Sequence, residues 1–226
     1  ELKNPLTALR SAVETLPLAK NETSRARLME VIQHDVRRLD RLITDISDAS
    51  RLDAELARDD ATRVDLLKLV NEIADAAREG GRHKRAVDIV VATEKKDQTA
   101  RDFQVVGHDL RLGQVVTNLI ENARSFVPEK HGRIVITLSR TSRHVVVTVD
   151  DNGPGIRSDA LERIFERFYT DRPSSEAFGQ NSGLGLSISR QIVEAHGGKL
   201  TAENIPGAKP GDYAGARFVM TVPVER

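Results

Sequence analysis

Apolar residues in the first part of the chain recur at the three- and four-residue spacing that is typical of amphipathic helices. One apolar stripe runs over residues 2–16, and a second, heptad-like stripe runs over residues 28–49. Between the stripes, Pro17 discourages continuation of the first helix, and Asn21 is a suitable N-cap for the second. The pattern therefore predicts that residues 1–56 form an antiparallel helical hairpin.

Two helices cannot cover both of their apolar stripes by themselves. Pairing with a second copy into a four-helix bundle is the simplest arrangement that buries both stripes, and two-fold dimers are the commonest closed assemblies. We therefore expect the hairpin at 1–56 to be half of a dimeric four-helix bundle, which makes the protein a homodimer.

Residues 57–226 show a different pattern, in which helical stretches are interspersed with strand-like alternation. They overlap a charged segment at 51–63 whose composition is typical of a linker between domains. The segments 133–140 and 144–151 alternate on either side of a short turn, which predicts a β-hairpin. The remaining predicted elements are helices at 66–80, 111–127 and 184–196, the first with Asp65 as its N-cap, and strands at 87–93, 103–106, 199–204 and 216–223. Antiparallel strands on one side and three helices on the other predict a two-layer α/β sandwich.

The composition narrows the functional classes. Lys plus Arg number 34 and Asp plus Glu number 34, so no global field steers the 226-residue chain to nucleic acid or to an anionic membrane. The absence of cysteine excludes disulfides and thiolate metal sites. No apolar run approaches the roughly 20 residues that span a bilayer. We therefore expect no direct nucleic-acid partner, and membrane contact only through segments outside this sequence.

The predicted helix at 111–127 carries two asparagines on a mostly apolar surface. Asn118 and Asn122 are four residues apart and so share one side of the helix. A buried amide without a partner costs free energy, so these amides are expected either to cap a neighbouring loop or to bind a polar ligand. An amide oxygen is a hard ligand that suits Mg²⁺. The pair is therefore a candidate magnesium site.

Two glycine-rich segments follow this helix. In the first, Asp151 ends a predicted strand and can accept a hydrogen bond from an amine such as adenine N6, while Gly153 and Gly155 let the backbone pass close to a flat ligand. By itself this segment is also ordinary turn chemistry. In the second, Gly183 and Gly185 open a helix whose free N–H groups and positive dipole end can receive phosphate.

The asparagine helix, the carboxylate turn and the glycine-led helix resemble, in order and spacing, the N, G1 and G2 boxes of the histidine-kinase ATP-binding domain, whose fold is of the histidine-kinase/Hsp90-like ATPase type. The segments 161–169 and 215–223 resemble its F box and G3 strand. The resemblance covers residues 62–226 and implies that ATP or ADP binds with Mg²⁺, with Asn122 on the metal and Asp151 on the adenine amine. The nucleotide-binding set that it implies is Asn118, Asn122, Ser125, Asp151, Gly153, Gly155, Ile156, Ser182, Gly183, Leu184, Gly185 and Leu186.

The first residues of the chain resemble the part of the histidine-kinase H box that follows its phosphoacceptor histidine. The resemblance implies that this histidine is the residue immediately before Glu1, outside the sequence. Glu1 would be the neighbouring general base, and Asn4 would orient water for dephosphorylation of a partner. The alternative is a plain amphipathic helix in which Pro5 is accidental. His34, in the second helix, is better interpreted as a solvated or partly packed side chain than as an acceptor.

Taken together, these resemblances imply an ATP-dependent protein histidine kinase. It would pass the phosphoryl group to an aspartate in the receiver domain of a response regulator, with phosphatase activity towards that regulator as a further expectation. The segments SAVETLPLAK and FGQNSGLGLSISRQIVEAHGG further resemble the ChvG/ExoS type of alphaproteobacterial sensor kinase. That likeness would make the chain the cytoplasmic portion of an inner-membrane sensor.

Two other functions use the same nucleotide fold. Gyrase- and heat-shock-type ATPases place a glutamate one turn before the magnesium asparagine, but the corresponding residue here is Asn118, which cannot take a proton from water. Glu121 is rotated about 100° from Asn122 on the helix and so faces elsewhere. A nucleotide-binding pseudokinase that acts as a scaffold stays open, because the acceptor histidine is not in the sequence.

The chain departs from the family pattern in places where phosphate binds. The second glycine box opens with Asn181 and Ser182 instead of Gly-Thr, and Ser125 occupies a position that is often lysine. Thr170 replaces an arginine that often follows the Phe-Tyr pair. The polar stretch between the two glycine segments resembles the ATP lid, which is expected to be mobile without nucleotide. Arg124 lies one residue before Ser125. The candidates for the missing phosphate charge, left open, are Arg167 and Arg172.

Overall fold

We describe a computed structural model of the chain. The structure describes residues 3–19, 21–33, 35–36, 39, 43, 61–81, 87–95, 98–169, 183–209 and 212–224. Of the predicted features, Glu1, Ser182, His34 and most of the linker lie outside the described residues. Asn4 is described as part of a helix, by its backbone alone.

The N-terminal part is helical, as predicted. Helix α1 spans Lys3–Thr15 and runs into a short 3₁₀ turn that contains Pro17. Helix α2 covers residues 22–33, and the Asn21 Oδ1 atom caps it by accepting a hydrogen bond from the Ser24 N–H at 2.8 Å. Several large apolar side chains here are exposed on the isolated chain: Leu6, Val13, Leu18, Met29, Val31, Val36 and Ile43. These exposed side chains are available for packing against a second copy. Dimerisation itself remains a prediction.

The C-terminal part is a two-layer sandwich of sheet and helices. The five-stranded sheet has the order β2-β4-β5-β7-β6. Its strands are Asp88–Thr93 (β2), Arg133–Arg140 (β4), His144–Asp151 (β5), Lys199–Pro206 (β6) and Tyr213–Pro223 (β7). A separate antiparallel pair joins β1, Thr62–Asp65, to β3, Gln104–Gly107. The helices are α3, Leu66–Gly81, α4, Asp109–Phe126, and α5, Gly185–Ala195.

Burial alternates along the central strands, and this alternation decides where the candidate carboxylate lies. In β5, Val145, Val147 and Val149 are buried in the core beneath the helices, and the residues between them are half-exposed. Because successive side chains of a strand point to opposite faces, Asp151 lies on the same face as these valines. The strand therefore places a carboxylate at the edge of the apolar layer.

The structure corrects two details of the sequence prediction. Strands β2 and β4 pair in parallel, so the sheet is mixed and the expectation of antiparallel strands is wrong for this pair. Parallel neighbours need a long crossover, which α4 provides on its way between them. In addition, the charged segment at 51–63 runs into β1, which was not predicted. This strand ends at Asp65, whose Oδ1 accepts a hydrogen bond from the Lys68 N–H at 3.0 Å and so caps α3 as predicted.

Candidate functional site

The side chain of Asp151 is 5% exposed and is fixed through one of its two oxygens. Oδ1 accepts hydrogen bonds from the backbone N–H groups of Gly153 at 2.8 Å and of Ala216 at 3.3 Å. Among the described residues, Oδ2 takes part in no hydrogen bond. The protein therefore orients the carboxylate, and Oδ2 can accept a hydrogen bond from a ligand.

The environment of this carboxylate changes its protonation. Burial raises the pKa of Asp151 above its ordinary value, and the negative charge of Asp150 adds to the increase. The N–H groups of Gly153 and Ala216 oppose it by stabilising the ionised form. The net increase in pKa means that an ionised Asp151 costs free energy in the folded chain.

Glycines on two sides let the backbone pack closely around Asp151. At Gly215, in β7, a Cβ atom would lie 1.7 Å from the Asp151 carbonyl oxygen, so a side chain there would force the strands apart. Gly155 has a φ of +79°, which a residue with a side chain rarely adopts. The turn after β5 is thus held against β7 and can present its backbone to a flat ligand.

The two predicted asparagines play different parts in the structure. The Asn118 Nδ2 group donates to the Gly185 carbonyl and to the Ser189 Oγ atom, both at 3.2 Å. Asn118 is therefore a tie between α4 and the start of α5, which is one of the two roles left open for these amides. Within the described part of the chain, the Asn122 carboxamide makes no hydrogen bond. The hydrogen bond from the Ser125 hydroxyl goes to the backbone carbonyl of Asn122 and not to its side chain. The carboxamide is available to a ligand.

Ser125, at the position that is often lysine, and the neighbouring Arg124 are both bonded to other parts of the chain. The Ser125 Oγ donates to the Asn122 carbonyl at 2.6 Å, which binds the hydroxyl to its own helix. The Arg124 guanidinium donates to the Ala77 carbonyl of α3 at 2.5 Å and to Glu121 at 3.1 Å. Arg124 thus serves the contact between α3 and α4. The candidates for the missing phosphate charge are Arg167, which is exposed, and Arg172, which lies outside the described residues.

Phe168, within the predicted lid, is bonded to Gly183, where the lid ends. The Phe168 N–H donates to the Gly183 carbonyl at 2.8 Å. Nearby, the Phe165 ring packs edge-on against the Phe218 ring of β7, and the Arg190 guanidinium lies 3.7 Å from the centre of the Phe165 ring. The intervening residues 170–182 lie outside the described part of the chain.

Helix α4 brings the predicted boxes together. At its C-terminal end, Gly153 of the turn lies so close that a Cβ atom there would be 3.0 Å from the Phe126 carbonyl. Near its middle, Asn118 is bonded to Gly185, where α5 begins. Leu184 is buried beside this start, and in the described part of the chain no side-chain hydrogen bond caps the helix, whose first N–H groups are the kind that can receive an anion. Carboxylate turn, asparagine helix and glycine-led helix are thus neighbours.

The described residues contain no group of three or more His, Asp or Glu side chains that could hold a metal ion by themselves. A metal at this site would need oxygens from a ligand as well as from Asn122, which suits Mg²⁺ bound to phosphates. None of the described helices is long and apolar enough to span a membrane.

Comparisons with family models give two matches. Residues 107–226 match the model described as histidine kinase-, DNA gyrase B- and HSP90-like ATPase, and residues 1–55 match the His Kinase A (phospho-acceptor) domain.

The chain is also similar to curated sensor proteins. It is 64% identical over 223 residues to the sensor protein ChvG of Rhizobium meliloti (strain 1021), which covers 99% of this chain and 38% of that protein. It is 62% identical to the ChvG protein of Agrobacterium fabrum (strain C58), covering 99% of this chain and 37% of that protein. The chain therefore spans less than two fifths of the length of these relatives.

Solved structures agree on the fold. The nucleotide-free catalytic domain of the histidine kinase ThkA is 30% identical, with a TM-score of 0.59, and covers 73% of this chain and 98% of that one. The structure of ThkA in complex with the response regulator protein TrrA covers 99% of this chain and 59% of that one. At 24% identity and a TM-score of 0.73, this second likeness shows the fold alone.

Replacing Asp151 by Asn should stabilise the nucleotide-free chain at neutral pH. The amide keeps an oxygen for the Gly153 and Ala216 N–H groups but carries no charge to bury. Because burial raises the pKa of Asp151 in the folded state, its contribution to stability is full below the unfolded pKa and is lost as the pH rises through the folded pKa. The gain should therefore be largest near pH 7 and shrink towards pH 4.

Urea unfolding of the wild type and of Asp151→Asn at several pH values measures this difference. Asp150→Asn is a matched control, because it removes a neighbouring carboxylate that is paired with Arg217 at 2.6 Å and should lower stability at pH 7. An Asp151→Asn chain that is less stable than the wild type at pH 7 would contradict the assigned cause.

Proposed function

The chain belongs to the histidine kinase family, and from this membership we propose that it binds ATP and transfers the γ-phosphoryl group to a histidine. The observation that carries the proposal is the arrangement around α4, which contacts the carboxylate turn at Phe126, carries Asn122 and is bonded through Asn118 to the start of α5. The site thus offers an acceptor for an amine, an oxygen for a metal and N–H groups for phosphate. These are the groups that a magnesium nucleotide needs.

In the proposed complex, the adenine amine donates to the Asp151 Oδ2 atom, and the turn from Gly153 to Ile156 borders the ring. The phosphates approach the residues that lead into α5, which are Ser182, Gly183, Leu184, Gly185 and Leu186. Asn122 offers its amide oxygen to Mg²⁺, and the bound ion would offset phosphate charge. Asn118 acts indirectly, because its amide hydrogens are already committed to α5.

The proposed reaction is an in-line displacement at the γ-phosphorus. A ring nitrogen of the histidine before Glu1 forms the new P–N bond, the bond from phosphorus to the bridging oxygen breaks, and ADP leaves with that electron pair. Glu1 accepts the proton lost by the ring, or orients the ring for attack. Because the transition state is loose, positioning accounts for most of the catalysis.

We propose that the chain has the two functional domains that the family resemblance implies. Residues 1–56 form the dimerisation and phosphotransfer domain, and residues 57–226 form the ATP-binding domain. The phosphoryl group then passes to an aspartate of a response regulator's receiver domain, and Asn4 orients water for the separate hydrolysis that dephosphorylates this aspartate. Similarity to sensor proteins supports a location as the cytoplasmic portion of an inner-membrane sensor, acting as a homodimer.

An ATPase that hydrolyses its nucleotide is not favoured. Such an enzyme needs a general base one turn before the magnesium ligand. That position is Asn118, an amide whose two hydrogens are bonded to Gly185 and Ser189 of α5. The site as built suits transfer to a supplied nucleophile.

Asp151 should determine the preference for adenine. The wild type should bind ADP at least about tenfold more tightly than IDP, whose 6-oxo group cannot donate to Oδ2. In Asp151→Asn, the oxygen must face the two backbone N–H groups, so the amide nitrogen takes the place of Oδ2 and donates. The preference should therefore fall or reverse, as measured by calorimetry with both nucleotides. An unchanged preference would refute the adenine contact.

Asn122 should carry the metal's contribution to nucleotide binding. In Asn122→Ala, a non-hydrolysable ATP analogue should bind with nearly the same affinity with and without Mg²⁺, whereas the wild type should bind more tightly with it. Glu121→Gln is the matched control, because Glu121 pairs with Arg124 and should leave the magnesium effect intact. If Mg²⁺ strengthened binding by the wild-type factor in Asn122→Ala, the metal assignment would be wrong.

A chain extended by a histidine before Glu1 should become labelled by γ-labelled ATP, and the label should survive alkali and be lost in acid. General-base help is worth roughly 10²- to 10⁴-fold, so Glu1→Gln should slow labelling strongly while nucleotide affinity stays unchanged. Replacing Asn4 should impair dephosphorylation of the regulator more than labelling. The chain without the added histidine should bind nucleotide and stay unlabelled.

Two results would overturn this proposal. Label on the chain that lacks the added histidine, at His34 for example, would move the acceptor elsewhere. Nucleotide binding with no label on the extended chain would favour the pseudokinase scaffold.

A further inference from the structure

One side chain outside the predicted set holds the far end of the carboxylate turn. The Asn204 Oδ1 atom accepts a hydrogen bond from the Ile156 N–H, and the Asn204 Nδ2 group donates to the Ile156 carbonyl, both at 2.6 Å. The two residues are 48 positions apart in the chain. The carboxamide thus pairs with both backbone groups of one residue, as a neighbouring strand would.

These two hydrogen bonds anchor an irregular segment of the backbone, the turn that follows β5. The backbone leaves β5 after Asp151, turns through Gly155 with its φ of +79°, and belongs to no strand or helix at Ile156. Within the described residues, the Ile156 N–H and carbonyl bond to Asn204 and to no other group. This carboxamide therefore holds the backbone of Ile156, whose side chain also packs against the hydrophobic core.

Both ends of the turn are attached to one pair of residues across two strands. Asp151 is bonded to Ala216 of β7 through its Oδ1, and Ile156 is bonded to Asn204 of β6. Ala216 and Asn204 face each other in the register of β6 and β7. The separation between the carboxylate and the backbone of Ile156 is thus fixed by a single cross-strand pair.

We infer that Asn204 is a positioning residue that sets the width of the purine slot and, through it, the preference for adenine. This inference rests on the proposed nucleotide function, because the slot lies between Asp151 and Ile156. An amine at the purine 6-position must reach Oδ2 while the ring lies along the turn, so a displaced Ile156 misplaces the ring. Asn204 touches no part of the nucleotide and acts through Ile156.

Two variants test the inference against a matched control. Asn204→Ala removes both hydrogen bonds, and Asn204→Asp keeps the size and the acceptor for the Ile156 N–H but places an acceptor against the Ile156 carbonyl. Glu203→Gln alters the adjacent residue, which is exposed and pairs with Arg217 at 3.5 Å on the outer face of the sheet. Calorimetry with ADP and with IDP, each with Mg²⁺, measures the two affinities, and thermal unfolding shows that each chain is folded.

Both Asn204 variants should bind ADP about tenfold more weakly and lose most of the preference for ADP over IDP, because IDP lacks the 6-amine whose placement against the carboxylate is disturbed. Glu203→Gln should match the wild type. If Asn204→Ala does not fold, Asn204→Asp decides. Equal losses for ADP and IDP would indicate a merely structural role, and no loss in a folded variant would indicate no role; either result overturns the inference.

The same measurements separate this inference from the proposed function. A wild-type chain that binds neither nucleotide, or binds both equally, would refute the adenine site itself. A wild-type chain that prefers ADP, together with Asn204 variants that keep that preference, would refute the positioning role alone.

Discussion

The attachment of one buried carboxylate to the backbone of β7 is the interaction on which the candidate site depends. Asp151 is carried into the apolar layer by the alternation of β5, and its Oδ1 is then satisfied by Gly153 and Ala216. Burying a carboxylate here without these hydrogen bonds would strongly destabilise the folded chain. With them, the folded chain holds a charged acceptor in a poorly hydrated place, where a hydrogen bond to a ligand is stronger than in water.

Helix α4 connects the turn that contains Asp151 to the other elements of the candidate site. It contacts the turn at Phe126, it is tied to the start of α5 by Asn118, and it is braced against α3 by Arg124. One helix therefore sets the distance between the turn proposed for the base and the helix start proposed for the phosphates. Asn122 lies on the same helix one turn beyond Asn118, so the same packing positions the residue that we propose as the metal ligand.

Sequence periodicity predicted much of this architecture because it reports which face of an element is buried. It located both strands of the β4–β5 hairpin and the three helices of the sandwich, and residue type added the caps at Asn21 and Asp65. Periodicity has limits, however. It could not report which strands are neighbours or in which direction they run, so the parallel β2–β4 pair and β1 were missed. From residue type alone, Asn118 and Asn122 could not be assigned different roles. The tertiary contacts of Asn118 with α5 distinguish it from Asn122. Asn204 gave no signal, since its partner is a backbone group far along the chain.

The hydrogen bonds that shape the turn join residues that are distant in sequence, and this separation has a consequence for folding. Asp151 and Ala216 are 65 residues apart, and Asn204 and Ile156 are 48 apart. Contacts of such high contact order form only after the intervening chain has been ordered, so they belong to the late, slow part of folding. The adenine slot proposed above would therefore be absent from a partly folded chain that has yet to pair β7. Nucleotide then binds the completed domain alone, and each bound molecule draws the population towards that state by mass action.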